Sequence, residues 1–205
     1  MFQLALNHLD SSMLIEEVNF SDAELLQLVD LNKAEETEFI KFNNARRKKE
    51  WLSVRHLLKK LCKDDISIIY NDDGKPGLSN GKNISISHSG NYIGIVISDT
   101  EKIGLDIEKI SKKIEKIQHK FINEHEQQLI QNSKRPLDTL TMFWCAKEAM
   151  YKMYSKRGLI FDEQLLIQSI DTKNSKIHAE IHAETIQKVE LSYFKVEEYF
   201  IVWIF

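Results

Sequence analysis

Residues 83 to 110 hold three closely spaced strand-like runs, "NISIS", "YIGIVIS" and "KIGLDIEKI". Side chains in an extended strand point to opposite faces in turn, so runs of this kind predict a small sheet with a face against a core. The third run turns acidic partway along. Ile103, Leu105 and Ile107 point one way, while Asp106 and Glu108 point the other. Two carboxylates held side by side at the end of an apolar strand need a chemical reason.

Helices surround this sheet. "SDAE" allows Ser21 to cap a helix, with Glu24 reaching back in a capping box. From about Lys33 to Leu61 the positions Phe39, Phe42, Trp51, Val54, Leu57, Leu58 and Leu61 recur at helical spacing around the basic block "RRKK", which predicts two helices. "ISIIY" reads as a strand and "NDDGKPG" as a turn. Residues 111 to 131 return to helical periodicity, with a second capping box at Asn123 and Glu126, and 137 to 154 form the strongest helix. Strand-like runs at about 163 to 170, 175 to 182 and 187 to 205 close the chain. Helices and hairpins in each half predict an α+β class with no low-complexity tract or linker.

At 205 residues and 42% hydrophobic content, the chain can bury one sizeable core or two small lobes. A net charge of -3, with acids and bases interspersed, gives no electrostatic support to a general nucleic-acid or membrane-surface role. Cys62 and Cys145 fit no metal-ligand spacing and suit a reducing compartment. The opening "MFQLALNHL" lacks a basic leader, and no run approaches the ~18 apolar residues of a membrane span. A soluble cytoplasmic protein is expected.

In the strongest helix Trp144, Lys147, Glu148, Tyr151 and Lys152 share one face, and Phe143, Ala146, Met150 and Met153 form an apolar stripe. Taken alone, Glu148 and Lys152 are a surface i,i+4 pair. If the stripe packs this helix across the sheet, Glu148 can join Asp106 and Glu108. Close carboxylates repel unless a cation sits among them, and hard oxygen donors suit Mg²⁺. Upstream, Lys75 lies on the turn, His88 shares the parity of Ile84 and Ile86, and Arg46, Arg47, Lys48, Lys49 and Arg55 form a basic helix. Each has a plain structural reading: a solvated turn lysine, a half-buried histidine and a solvated helix face. Each is also a phosphate-binding candidate. No Walker loop or GxGxxG is present.

The order of these pieces is more specific than any one of them. "GKP" at 74 to 76, "ISHS" at 86 to 89, "GLDIE" at 104 to 108, "KFINEHE" at 120 to 126 and "WCAKEAMYK" at 144 to 152 together resemble the 4'-phosphopantetheinyl transferases, in particular the large monomeric class that activates surfactin synthetase. The resemblance implies two similar α/β lobes in a pseudo-twofold arrangement, residues 1–100 with the nucleotide-end contacts and 101–205 with the metal site. It implies coenzyme A as co-substrate, Mg²⁺ as cofactor, and an apo acyl, peptidyl or polyketide carrier protein as partner. Asp106, Glu108 and Glu148 look like the metal ligands, Glu148 and Lys152 like the catalytic pair. Lys152 and Lys147 would meet the phosphates of coenzyme A. Arg55, Lys75, Ser87 and His88, with Lys49, would meet its nucleotide end.

Three positions depart from the family pattern: Ser85 before ISHS, Cys145 after Trp144, and "SKRGL" after the last lysine. None removes a ligand or a charge. Two other classes fit parts of the pattern, a non-catalytic carrier-binding relative and a metal-dependent nuclease. The intact carboxylates argue against the first, and the charge balance against the second.

Overall fold

A computed structural model describes residues 2–62, 66–71, 74–156 and 158–205. Asp72 and Asp73 of the "NDDGKPG" turn and Arg157 of "SKRGL" lie outside the described residues. The chain divides into two compact units, residues 1–100 and 101–205.

The first unit opens with a hairpin, β1 (Gln3–His8) and β2 (Ser11–Glu17), followed by α1 (Asp22–Leu28), α2 (Lys33–Ile40) and α3 (Ala45–Leu61). Strands β3 (Ile68–Tyr70), β4 (Pro76–Leu78), β5 (Asn83–Ser89) and β6 (Tyr92–Ser98) complete an antiparallel sheet in the order β1-β2-β6-β5-β4-β3. The Ser21–Glu24 capping box forms as the sequence predicts, and Asn32 and Glu35 make another at the start of α2. Trp51, Leu52, Val54, Leu57 and Leu58 of α3 join Leu14, Ile84, Ile93, Ile95 and Ile97 of the sheet in one core. Full burial of such a side chain contributes about 1.5–3 kcal/mol, so this face fixes α3 on the sheet. The opening hairpin is not foreseen by the sequence reading. β1 is an edge strand with no fully buried residue, and its alternation is correspondingly weak.

The second unit begins with β7 (Gly104–Lys109), then two short 3-10 turns, Lys112–Lys116 and Gln118–Lys120, and α4 (Glu124–Gln131), α5 (Pro136–Tyr154) and α6 (Phe161–Gln164). The 3-10 turns stand where sequence periodicity suggests continuous helix. β8 (Leu165–Asp171), β9 (Lys176–His182), β10 (Ile186–Val196) and β11 (Tyr199–Ile204) follow, and the antiparallel sheet has the order β7-β11-β10-β9-β8. The run read as one strand from 187 to 205 is a hairpin, turning at Glu197 with φ 50°.

Helix α5 starts with Pro136 in its first turn, where a missing N–H costs nothing, and ends at Ser155 in the left-handed conformation. Its Phe143, Ala146, Ala149 and Met150 pack with Ile167, Ile177, Ile181, Leu191 and Val202 in the core of the unit. Among the described residues no helix is long and apolar enough to cross a membrane.

Candidate active site

Strand β7 pairs with β11 so that Asp106 lies opposite Val202 and Glu108 opposite Phe200. Cross-strand partners share a face, and Val202 and Phe200 belong to the core beneath α5, so both carboxylates stand on the α5 side of the sheet. Gly104 sets how close the helix comes. A Cβ there would lie 2.1 Å from the carbonyl oxygen of Ala149, well inside contact distance. The glycine of "GLDIE" therefore lets the backbone of α5 rest directly on β7.

Trp144, Glu148 and Lys152 lie at i, i+4 and i+8, one above another along the helix. The two outer members fix the register. Lys152 Nζ donates to Asp106 Oδ1 at 2.8 Å and to the Leu105 carbonyl at 2.9 Å. Trp144 Nε1 donates to Glu108 Oε1 at 3.1 Å. Glu148 is thus held between them, facing the acidic end of β7.

Electrostatics reflects this convergence. Burial pushes the Glu148 carboxyl up to about 7, and the charge of Asp106 adds to the shift while Lys152 opposes it. Glu108 is likewise pushed up to about 7, by burial first and then by Asp106, with Glu148 adding and the Trp144 N–H and Lys152 opposing. Burial first, and then the charge of Asp106, holds protons on Glu108 and Glu148 near neutral pH.

Among the described residues no group of three or more His, Cys, Asp and Glu side chains is set as a ready metal site. The Lys152 ammonium lies on Asp106 instead. The donor set still fits a hard divalent cation, because oxygen ligands that repel one another are those a cation stabilises.

Lys147 is placed otherwise than expected. It is fully buried, and its ammonium donates to the Phe121 carbonyl, to Glu126 Oε2 at 2.7 Å and to the Phe161 carbonyl at 2.9 Å. An ammonium has three hydrogens, so these acceptors use all of them and leave none for a coenzyme phosphate. Burial lowers the Lys147 pKa and the Glu126 charge opposes that. The sequence holds a signal for this position. Lys147 is four residues beyond Phe143 and three before Met150, both wholly buried, so it belongs beside the apolar stripe.

Glu126, a predicted cap and the last residue of "KFINEHE", has no partner beyond its own helix in the sequence pattern. The Asn123–Glu126 box forms, and Glu126 also accepts the Ile167 N–H at 2.8 Å on its other oxygen. One buried carboxylate thereby ties α4, α5 and β8 together.

In the first unit, Arg55 is buried on α3, with its guanidinium 3.1 Å from the centre of the Trp51 ring and its Nε donating to Glu35 Oε1 at 2.9 Å. Burial lowers its pKa and Glu35 opposes that. His88 Nδ1 lies 3.3 Å from Glu50 Oε1. A small cavity of about 60 Å³ brings Arg55 and His88 together, with Arg47, Glu50 and Tyr70 also in its wall. Ser87 is buried and, by strand alternation, faces away from His88. Lys75 closes the turn that Gly74 opens at φ 79°, its backbone N–H donating to Asn71 Oδ1 at 2.8 Å. Lys49 is half-buried on α3, and its carbonyl accepts from Ser53 Oγ. Ser87, Lys75 and Lys49 are not in the wall of that cavity.

Residues 102–202 match the family model of the 4'-phosphopantetheinyl transferase superfamily. The proteins named 4'-phosphopantetheinyl transferase AcpT from Salmonella typhi and Salmonella typhimurium are 30% and 29% identical to the chain over 112 residues. Each of these matches covers 52% of the chain and 58% of the relative. The matched stretch thus spans little more than half the length of these curated relatives.

Proposed function

We propose that this chain, which matches the 4'-phosphopantetheinyl transferase superfamily across residues 102–202, transfers the phosphopantetheine arm of coenzyme A to a serine of an apo carrier protein. The observation that carries this reading is the placement of Glu148 between the Lys152–Asp106 and Trp144–Glu108 contacts, inside the matched segment.

In the reaction the serine oxygen forms a bond to the pantetheine-side phosphorus, and the bond from that phosphorus to the bridging oxygen breaks. Adenosine 3',5'-bisphosphate departs. The serine proton passes to Glu148, directly or through water. Burial and then Asp106 raise that carboxyl to about 7 in the metal-free chain, and a bound divalent cation would lower it and keep the carboxylate ionised to accept the proton. Lys152 reaches Asp106 in the resting chain and would turn its ammonium to the departing phosphate, where it stabilises developing negative charge. Asp106, Glu108 and Glu148 would hold Mg²⁺, which when bound neutralises charge on the pyrophosphate.

Candidate contacts to a nucleotide also occur within the first unit by itself. Arg55 and His88, which share a cavity, would contact it; Lys75, on the 3'-phosphate, Ser87 and Lys49 lie outside that wall and are proposed from the motif order alone. Lys147 is withdrawn from this set because its donors are spent within the fold. Placement in the surfactin-synthetase-activating class rests on motif order and on one chain carrying both units, whereas the matched relatives carry the name AcpT. A monomeric protein of the cytoplasm belongs to the same proposal.

Incubation with an apo carrier protein, coenzyme A and Mg²⁺, followed by mass spectrometry of the carrier, tests the reading. A gain of one phosphopantetheine arm is expected. Carrier binding without modification would favour a non-catalytic relative.

A further inference from the structure

A charged side chain buried in a core is costly, and an apolar residue of similar volume often fills the same space with no loss of stability. Lys147, wholly buried, therefore calls for a role beyond packing. Two of its acceptors are the carbonyls of Phe121 and Phe161. The rings of these same residues pack on Trp144, with centroids 4.9 Å and 5.7 Å from its ring. Trp144 in turn directs its indole N–H to Glu108 Oε1. Glu126, the third acceptor, is itself fixed by the Asn123 and Ile167 N–H groups, so the ammonium is anchored to a rigid frame.

We propose that Lys147 is a positioning residue for Glu108, acting through the backbone of Phe121 and Phe161 and the indole of Trp144. The ammonium draws two separate segments, the one entering α4 and the one entering α6, toward α5. Their rings then hold the indole in the orientation that directs Glu108 toward a divalent cation. Partners behind a metal ligand typically change metal affinity 10–100-fold when removed. This inference rests on the proposed metal site of Asp106, Glu108 and Glu148.

The test is a double-mutant cycle on Mg²⁺ affinity, measured by calorimetric titration of the full chain in the presence of coenzyme A. Lys147→Met and Trp144→Phe are each expected to weaken Mg²⁺ about 10-fold or more. The double variant is expected to be no weaker than Trp144→Phe, because Lys147 has nothing left to act through. Multiplying effects would overturn the inference, since they would show Lys147 acting independently of Trp144. Trp144→Phe keeps the aromatic packing, so if Lys147→Met does not fold, unchanged Mg²⁺ affinity in Trp144→Phe overturns the inference by itself. Wild-type chain that binds no Mg²⁺ with coenzyme A present would overturn the metal site and the inference with it. Wild-type affinity in both single variants would overturn the inference alone.

Discussion

The backbone carbonyl of Ala149 stands where a side chain on Gly104 would have to go, its oxygen 2.1 Å from the position of a Cβ. Ala149 is the neighbour of Glu148, and Gly104 lies two residues before Asp106. This one approach therefore brings Glu148, the ammonium of Lys152 and the acidic end of β7 together. Ala146 and Ala149, both fully buried, keep that face of α5 small enough for it.

Gly104→Ala is accordingly expected to push α5 away from β7. The clash is with backbone, which cannot rotate aside, and overpacking of this kind costs about 1–3 kcal/mol. Denaturant unfolding would show the loss of stability, and transfer activity measured below the unfolding transition would fall as well. Wild-type stability and activity in this variant would show that the contact does not position the site.

Glu148→Gln is expected to lower transfer by about 10²–10⁴-fold, the usual contribution of a positioned base, while coenzyme A binding stays largely intact. Gln has nearly the same shape but takes up no proton. Calorimetry with coenzyme A and a steady-state assay on apo carrier separate the two effects. Wild-type turnover would remove Glu148 from the mechanism.

Stability of the chain without divalent cations should depend on pH in a definite direction. Glu108 and Glu148 are raised from an ordinary 4.5 to about 7 by burial and by Asp106. Between those values the folded chain holds protons that the unfolded chain has released. Stability from these groups therefore falls as pH rises from about 4.5 through 7, and levels off above. Unfolding temperatures across that range should fall less steeply in Glu148→Gln than in wild type. Parallel curves would mean that Glu148 does not carry the shift.

The strands around GLDIE and the long helix α5 are legible in the sequence because their apolar periods are strong and their faces are buried. Both carboxylates and the Glu148–Lys152 pair follow from those periods and from the spacing of the motifs. The β1–β2 hairpin is not legible, since β1 is an edge strand with exposed side chains and β2, buried on both faces, shows no alternation. Nor is the role of Lys147, which stands beside Glu148 in the motif yet turns inward. Its acceptors are two backbone carbonyls and a capping glutamate, groups that no side-chain pattern announces.

Lys75→Ala should weaken coenzyme A more than its 3'-dephospho analogue, if the ammonium meets the 3'-phosphate. Competition binding with both ligands reads the difference directly. Equal losses would place Lys75 elsewhere.

The central claim is that Asp106, Glu108 and Glu148 share one divalent cation with a diphosphate. Crystals grown with coenzyme A and Mn²⁺, examined by anomalous scattering, locate that ion without reference to activity. One peak is expected, with oxygens of these three carboxylates and of the diphosphate around it and Lys152 released from Asp106. A chain that binds coenzyme A with no ion between these carboxylates, or with the ion held elsewhere, would contradict the claim.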